Sequence, residues 1–439
     1  MISIKEINKL AIPAILFNIT EPLIGLADTA FIGQMEHHAT IAQGGVGLSA
    51  GLIATLVWGL AQMRTSLSAI ISRHFGANQL NKVASLIPQT LLLTFLMGAG
   101  IAAVLIMYFD QVASFLFGDI KESTLGFARN YFNIRALGLP ISLLIALFFG
   151  IFRGLQNTSW AMYISLVGGG LNILLDYALI NGVDEYIEPM GVKGAAWASL
   201  IAQIVMFILC VFIYYSKSSF RLKLTSQISP YFKEMLLIFL NMFIRTMVLN
   251  VVFILANRFA NNYGEEELAA YTIGYNIWIF TSFFIDGYSN AGNALAGKFL
   301  GEKNNMKLKL LGNKLMFINI KIAFGLMLCY AFSYNIIGPL FNKNYDVIQV
   351  FKNTFWIIII AQPFNSIAFT FDGIFKGMGK AIELRNTLIQ ATFLVFIPVL
   401  YLSNWIEEGL WGVWLSLSVW MVYRGTSLIY KFRKITLAE

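Results

Sequence analysis

Charged residues are scarce in this chain: they make up 12% of its 439 residues, while 58% are hydrophobic and the mean hydropathy is +0.70. A soluble protein carries about twice that share of charge. So few charges cannot cover the surface of a soluble protein of this size. The composition therefore excludes an ordinary soluble protein and indicates one that crosses a membrane several times.

Cysteine and histidine are also rare. Cys210 and Cys329 each sit in an apolar run without a CxxC spacing, so we predict two buried free thiols and no disulfide. The three histidines offer no metal-ligand spacing, and Walker and HExxH motifs are absent from the sequence. The sequence thus predicts a protein that is not an enzyme, with no catalytic residues, no cofactor and no metal centre.

Long apolar runs recur along the whole length, and each can cross a hydrocarbon core of about 30 Å. We predict an all-α polytopic membrane protein with twelve spans. They cover residues 10–34, 44–70, 84–107, 128–152, 158–181, 192–215, 234–258, 267–297, 311–334, 350–375, 385–403 and 409–430.

The formal net charge of +8 comes from basic residues in every second loop rather than from one basic domain. This distribution fits the positive-inside rule and argues against a nucleic-acid partner. We expect both termini to be cytoplasmic, membrane lipids as partners, and a location in the cell (inner or plasma) membrane. The first apolar stretch is too long for a cleavable signal peptide, so we expect it to remain as a span.

An internal repeat divides the chain. Gly150 to Gly154 reads GIFRG and Gly373 to Gly377 reads GIFKG, an offset of 223 (373 − 150), and Pro140 and Pro363 have the same offset. We predict two parallel six-helix lobes, 1–220 and 221–439, with a cytoplasmic linker at 216–230. They would be related by a pseudo-two-fold axis along the membrane normal and would enclose a central cleft, with kinks at the two prolines.

A carboxylate lies inside the fifth predicted span. Asp176 follows Asn172 by four residues, so both share one helix face and can offer oxygens to one small cation or proton. Glycines 168–170 one turn earlier allow a neighbouring helix to approach closely. An acid at membrane depth normally faces the protein interior or a water-filled cavity. The alternative is a polar pair that only hydrogen-bonds to another helix.

The first span carries a polar stripe of Asn18, Glu21, Gly25 and Asp28, which we expect to face inward, with a kink near Pro22. Asn18 and Glu21 are candidates for a substrate or proton path. For Glu21 the alternative is a protonated side chain that bonds to neighbouring backbone.

The second half holds a further polar set at membrane depth. We expect Arg245 to pair with a carboxylate, because an uncompensated charge there would be very costly, and we favour a structural role for the set over transport. Its members are Asn241, Arg245, Asp286 and Asp372.

Taken together, the chain resembles the multidrug and toxic compound extrusion (MATE) family, and most of all its DinF-like branch. The resemblance covers the whole chain. It rests on the twelve spans in two halves and on four segments: residues 22–33 (PLIGLADTAFIG), residues 153–158 (RGLQNT), Asn172 to Asp176 with Leu179-Ile180, and residues 191–199 (GVKGAAWAS). Asp286-Gly287 and Asp372-Gly373 are similar to the DinF branch, whereas Gln62 to Thr65 departs from its usual pattern.

The resemblance implies a cation-coupling site in the amino-terminal lobe, formed by Asp28, Asn172 and Asp176, with Ser199 as an accessory hydroxyl. The coupling ion would be H⁺ or Na⁺, with any sodium held by those three residues. The implied function is a monomeric secondary antiporter that exports organic, often cationic and aromatic compounds such as drugs and toxins by alternating access.

Two other classes of function remain as alternatives to an antiporter. A lipid-linked saccharide flippase of the same superfamily would need several cations along the cleft for pyrophosphate, and Arg64 and Arg245 are few for that task. A membrane-embedded enzyme would need a catalytic constellation that the sequence does not show.

Overall fold

The computed structural model describes residues 2–35, 39–183, 186–218 and 225–437, except for the side chains of Glu21 and Leu26. These residues form helices and no β-strand; an isolated bridge joins Val183 and Ile187. The predicted all-α class is confirmed.

Nine α-helices precede the linker region in the part of the chain that the structure describes. They are α1 (Ile4–Gly33), α2 (Ala39–Leu60), α3 (Met63–Gly76), α4 (Leu86–Met107), α5 (Phe109–Phe117), α6 (Glu122–Leu137), α7 (Leu139–Gly154), α8 (Ser159–Asn181) and α9 (Val192–Lys217), with a 3₁₀ turn at Leu80–Val83.

Eight more α-helices follow in the described residues. They are α10 (Phe232–Tyr263), α11 (Glu265–Gly301), α12 (Asn305–Phe332), α13 (Tyr334–Phe341), α14 (Tyr345–Gly377), α15 (Ala381–Gln390), α16 (Ile397–Trp405) and α17 (Gly409–Leu437), with a π-helical segment Ala391–Phe396 between α15 and α16.

Each predicted span falls on one of these helices or on a run of consecutive helices. Ten described helical stretches are long and apolar enough to cross a membrane, and the bent pair α6–α7 forms an eleventh. The twelfth predicted span coincides with α17, which has 29 residues. Its many tryptophans, serines and glycines make it less apolar than the other spans, so by composition alone it is not counted as one.

The two repeat-related prolines lie in different surroundings. Between α6 and α7 the chain bends by 48° just before Pro140, whereas Pro363 lies inside the continuous helix α14. The two prolines therefore differ: the helix breaks before Pro140 and is unbroken through Pro363. The residue two before Pro140 is Gly138, and the residue two before Pro363 is Ala361. Glycine favours a break in a helix and alanine favours its continuation.

The repeated glycines have a packing role. A Cβ added at Gly150 would collide with the backbone of Arg64 on α3, and one added at Gly373 would collide with the backbone of Ser289 on α11. Arg64 and Ser289 are 225 residues apart (289 − 64), close to the 223 that separates the glycines. The shared motif thus marks the same helix-to-helix approach in both halves.

Contacts divide the chain into two units. The amino-terminal unit comprises Leu16–Ile71 and Gln79–Leu236, and the carboxy-terminal unit comprises Met1–Ile15, Ser72–Asn78 and Leu237–Glu439. A core in the first unit includes Ile32, Tyr131 and Ile180. A larger core in the second is centred on α11, α14 and α17. The lobes 1–220 and 221–439 stay a prediction.

One cysteine prediction is wrong. Cys210 is buried, but Cys329 on α12 is exposed, and both are free thiols. An apolar run in a membrane protein can turn one face to lipid, so an apolar sequence around a cysteine does not imply burial.

Candidate cation-coupling site

Four helices of the amino-terminal unit meet around two carboxylates. Asp28 comes from α1 and Asp176 from α8; Ser199 on α9 and Tyr131 on α6 lie beside them. Asp176 is completely buried and Asp28 is 9% exposed. Charged side chains are almost never buried to this degree without a partner. The two carboxyl groups lie within hydrogen-bonding range of each other.

Small residues let these helices approach. A Cβ added at Gly169 would lie 3.0 Å from the Thr20 methyl group of α1, and one added at Gly168 would collide with Met206 of α9. Helix α8 is therefore packed closely against α1 and α9 at the turn before Asn172. The sequence predicted this close approach, but it could not say which helices would take part.

Asn172 joins α8 to α9. Its side-chain amide donates a hydrogen bond to the Ser199 hydroxyl, with 3.4 Å between nitrogen and oxygen. Its Oδ1 is buried and accepts no hydrogen bond from the described residues. Asp28 Oδ1 and both carboxyl oxygens of Asp176 are also buried and accept no hydrogen bond from the described residues.

Four buried oxygens without a donor are unusual, because more than nine in ten buried polar groups in proteins have a partner. Ionised carboxylates can only accept hydrogen bonds, so Asp28 and Asp176 bond to each other only if one of them carries a proton. A small cation between them would satisfy the same oxygens, since carboxylate and amide oxygens are ligands that hard cations prefer. The donor set fits either ion.

The structure brings together Asp28, Asn172, Asp176 and Ser199, the four residues that the resemblance implies. The other members of the polar stripe predicted on the first span do not join this site. Asn18 is half-buried and Gly25 lies in open space, so the polar stripe on α1 does not face inward over its whole length. The side chain of Glu21 lies outside the described part of the structure.

Sequence reasoning missed two residues of α6. Tyr131 is buried, and Arg135, one turn later, is half-buried. The guanidinium of Arg135 acts electrostatically on both Asp28 and Asp176, and it interacts with the Tyr131 hydroxyl. The available signal was a charged residue four positions from a tyrosine inside a predicted span.

The polar set of the second half forms a separate cluster in the carboxy-terminal unit. Arg245 donates to Asp372 with 2.5 Å between Nη2 and Oδ2, and Lys376 Nζ lies 3.1 Å from the same oxygen. Arg424 Nη2 lies 3.7 Å from Asp372 Oδ1, and its guanidinium stacks 4.4 Å from the Trp420 ring.

The remaining two predicted members stand at the edge of this cluster. Asp286 acts electrostatically on Lys376 and Arg424. Asn241 donates to the Leu237 carbonyl of its own helix, at 2.6 Å. Sequence reasoning missed Lys376 and Arg424 as partners, because Lys376 falls just after the predicted span 350–375 and Arg424 was not singled out.

Long apolar helices with buried acids at membrane depth are typical of membrane proteins whose polar interior has a function, transport proteins among them. The MatE family pattern matches residues 13–178 and 242–402, so the chain belongs to the MatE family. This confirms the resemblance predicted from the sequence.

Two similar proteins can be aligned with this chain over nearly its full length. The DNA damage-inducible protein F of Escherichia coli K12 is 27% identical and covers 98% of this chain and 92% of its own length. A probable multidrug resistance protein NorM of Thermotoga maritima is 26% identical and covers 96% of this chain and 90% of its own length.

Solved structures share the fold. One described as MATE in the bent conformation has a TM-score of 0.89 at 21% identity and covers 99% of this chain and 95% of its own. A MOP superfamily transporter from Pyrococcus furiosus Vc1 has a TM-score of 0.88 at 20% identity and covers 99% and 96%. The chain is therefore a multi-pass membrane protein of a multidrug efflux transporter family.

Proposed function

We propose that the chain is a secondary antiporter that exports organic compounds, often cationic and aromatic, in exchange for a proton or a sodium ion. The single observation that supports it most strongly is the buried pair Asp28 and Asp176. Two acids that share a low-dielectric site cannot both stay ionised cheaply, so the site favours an added proton or cation.

The coupling step follows from this charge balance. A proton or sodium ion that arrives from outside neutralises the pair, and α1, which carries Pro22 within the helix, then repacks and lowers the affinity for substrate. Movement of one charge through the full membrane field contributes about 2.3 kcal/mol per 100 mV. In this scheme the protein is not an enzyme and needs no cofactor; the ion gradient supplies the free energy.

The proposal includes a setting for the protein. It would work as a monomer in the cell membrane, among lipids, with both termini in the cytoplasm. The basic loops that alternate along the chain support this orientation. Cysteine labelling of a terminal variant in right-side-out vesicles would test it, and labelling by an impermeant reagent would contradict it.

Export from proteoliposomes tests the function itself. Vesicles that contain the purified full chain are loaded with ethidium, and a pH gradient or a sodium gradient is imposed separately. We expect faster ethidium movement under one of the two gradients than under none, and no such gain in vesicles that contain Asp28→Asn. Equal rates with and without both gradients would reject antiport.

A lipid-linked saccharide flippase is the second candidate, and one observation favours it. The carboxy-terminal unit gathers Arg245, Lys376 and Arg424 around Asp372, which is more positive charge than the sequence alone predicted there. Pyrophosphate would be attracted by such a cluster. However, Asp372 and Asp286 already offset two of the three charges. Gradient-independent movement of a fluorescent polyprenyl pyrophosphate, with no ethidium export, would favour the flippase.

A further inference from the structure

Helix α1 belongs to both contact units of the protein. Its residues up to Ile15 pack within the carboxy-terminal unit, and its residues from Leu16 onward pack within the amino-terminal unit, where the helix carries Asp28. The helix is continuous from Ile4 to Gly33. A rigid helix that is held at one end can carry a displacement of its other end to the elements that hold it.

The beginning of α1 lies against a glycine of α11. A Cβ added at Gly287 would collide with the Ile15 side chain and would lie 3.0 Å from the Ala11 carbonyl oxygen. Glycine, which lacks a Cβ, permits this close approach of two helices. The contact gives a packing role to the glycine of the Asp286-Gly287 pair, which the proposed function does not otherwise use.

Two polar contacts continue this interface toward the start of α1. The Tyr288 hydroxyl donates to Asn8 Oδ1 at 3.1 Å, and Lys298 Nζ donates to Glu6 Oε1 at 3.3 Å. Residue numbers rise along α11 from Gly287 to Lys298 as they fall along α1, so the two helices are antiparallel over the contact.

Apolar burial and a third polar contact complete the attachment. Ile7 and Ala11 are completely buried, and Leu10 is nearly so. Lys314 of α12 donates to the Ile2 carbonyl oxygen at 2.7 Å. Residues 2–15, which we call the α1 anchor, are thus fixed within the carboxy-terminal unit by packing and by hydrogen bonds.

We propose that Gly287, Tyr288 and Lys298 are positioning residues for transport: they hold the α1 anchor, so that ion binding at Asp28 acts on the carboxy-terminal unit through α1. This inference rests on the proposed antiport and adds the residues that transmit ion binding to the second unit. Glu6 and Asp28 are 22 residues apart (28 − 6), which is about 33 Å along a helix. A variant of the anchor therefore cannot act on the ion site by direct contact.

An exchange of side-chain size tests the glycine contact. The purified full chain is reconstituted in proteoliposomes, and ethidium export is measured under the gradient that drives the wild type. Gly287→Ala pushes α1 away from α11, so we expect export to fall by at least about threefold. Adding Ile15→Ala removes the colliding atoms and should restore export to within about twofold of the wild type. A fall that the second substitution does not reverse would overturn the inference.

An exchange of charges tests the anchor without altering the core, because the Glu6 and Lys298 side chains are 40% and 25% exposed. Glu6→Lys places two lysines opposite each other and should lower export by roughly twofold to fivefold. The exchange variant, Glu6→Lys with Lys298→Glu, should recover it. Wild-type export by both Glu6→Lys and Gly287→Ala would overturn the inference.

A matched control lies at the same end of α11. Glu302 pairs with Lys307 at 2.8 Å, and neither residue belongs to α1. Glu302→Lys makes the same charge change opposite a lysine, and it should export at the wild-type rate. A loss equal to that of Glu6→Lys would assign the effect to surface charge and overturn the inference.

The distance between two spin labels follows the anchor without transport. Labels are attached at Lys5→Cys on α1 and Lys309→Cys on α12, both exposed positions, in a protein with Cys210→Ala and Cys329→Ser. We expect one narrow distance distribution with the native anchor, a broader one in Glu6→Lys, and a narrow one again in the exchange variant. If the wild type shows no gradient-driven export, antiport fails, and these distances still decide whether the anchor holds α1. Unchanged distributions in both anchor variants would overturn it.

Discussion

The two buried charge clusters of this protein have opposite balances. Around Asp28 and Asp176, two acids share one guanidinium, and four buried oxygens accept no hydrogen bond from described residues. Around Asp372, three cations lie within 4 Å of one carboxylate. The first cluster needs a mobile positive charge for neutrality, whereas the second holds its carboxylate fully compensated. This difference is what we expect if the first cluster is the proposed ion site and the second is a structural network.

The internal repeat explains the framework of these clusters but not their charges. Phe149-Gly150 in the amino-terminal half corresponds to Asp372-Gly373 in the other half. The glycines pack in the same way. However, Phe149 makes an edge-to-face contact with Phe17, with 5.2 Å between ring centroids, where the counterpart holds an ion network. The two halves therefore share the close helix packing at the glycine, but they differ in whether the residue before it is apolar or charged.

The same substitution in each cluster gives the largest expected contrast. Asp372→Asn leaves three cations facing one another and should lower the free energy of unfolding by roughly 3–5 kcal/mol. Asp176→Asn removes a buried acid whose oxygens accept no hydrogen bond from the described residues, so stability should stay the same or rise by up to about 1 kcal/mol. Thermal unfolding in one detergent measures both. Similar shifts of the melting temperature in the same direction would remove the distinction between the clusters.

Arg245→Ala should have a smaller effect, about 1–3 kcal/mol, because Lys376 and Arg424 still compensate Asp372. Reduced yield of folded protein and a lower melting temperature are the expected readouts, and Arg245→Lys is the control that keeps the charge. Normal stability together with lost export would instead assign this cluster to transport.

Sequence reasoning reached the fold, and it named four residues that the structure brings together in the proposed site. The spans could be predicted because membrane depth demands about twenty apolar residues, and Asp176 was singled out because an acid is costly there. Asp28 was singled out from the polar stripe of the first span, and its coupling role came from the family resemblance. Arg135 and Arg424 were missed for a different reason. Their roles depend on which helices are neighbours, and neither periodicity nor hydropathy contains that information. Lys376 could have been found, since it follows Asp372 by four residues on one helix.

The variant Asn172→Ala distinguishes proton coupling from sodium coupling. Asn172 offers only a neutral oxygen, which a sodium ion needs as a ligand and a proton does not. With proton coupling, we expect the initial rate of pH-driven ethidium export to fall by less than about tenfold, or 1.4 kcal/mol. Abolished export in a protein that still folds would indicate sodium coupling.

Ser199→Ala should have the smallest effect. The hydrogen bond from Asn172 to Ser199 is long, at 3.4 Å, and such bonds are weaker than those near 2.9 Å. We expect a loss of at most about threefold in export rate, equivalent to less than 1 kcal/mol. Ser199→Thr, which keeps the hydroxyl, should match the wild type. A loss as severe as that of Asp176→Asn would make Ser199 an essential ligand.

The central claim is that Asp28 and Asp176 bind the coupling ion, and gradient-driven export by single variants tests it most directly. Asp28→Asn and Asp176→Asn are reconstituted at equal density with the wild type, and ethidium export is followed under an imposed pH or sodium gradient. We predict that both variants fold, insert and show no gradient-driven export, since neither keeps two acids in the site. Export by Asp28→Asn at the wild-type rate would contradict this account.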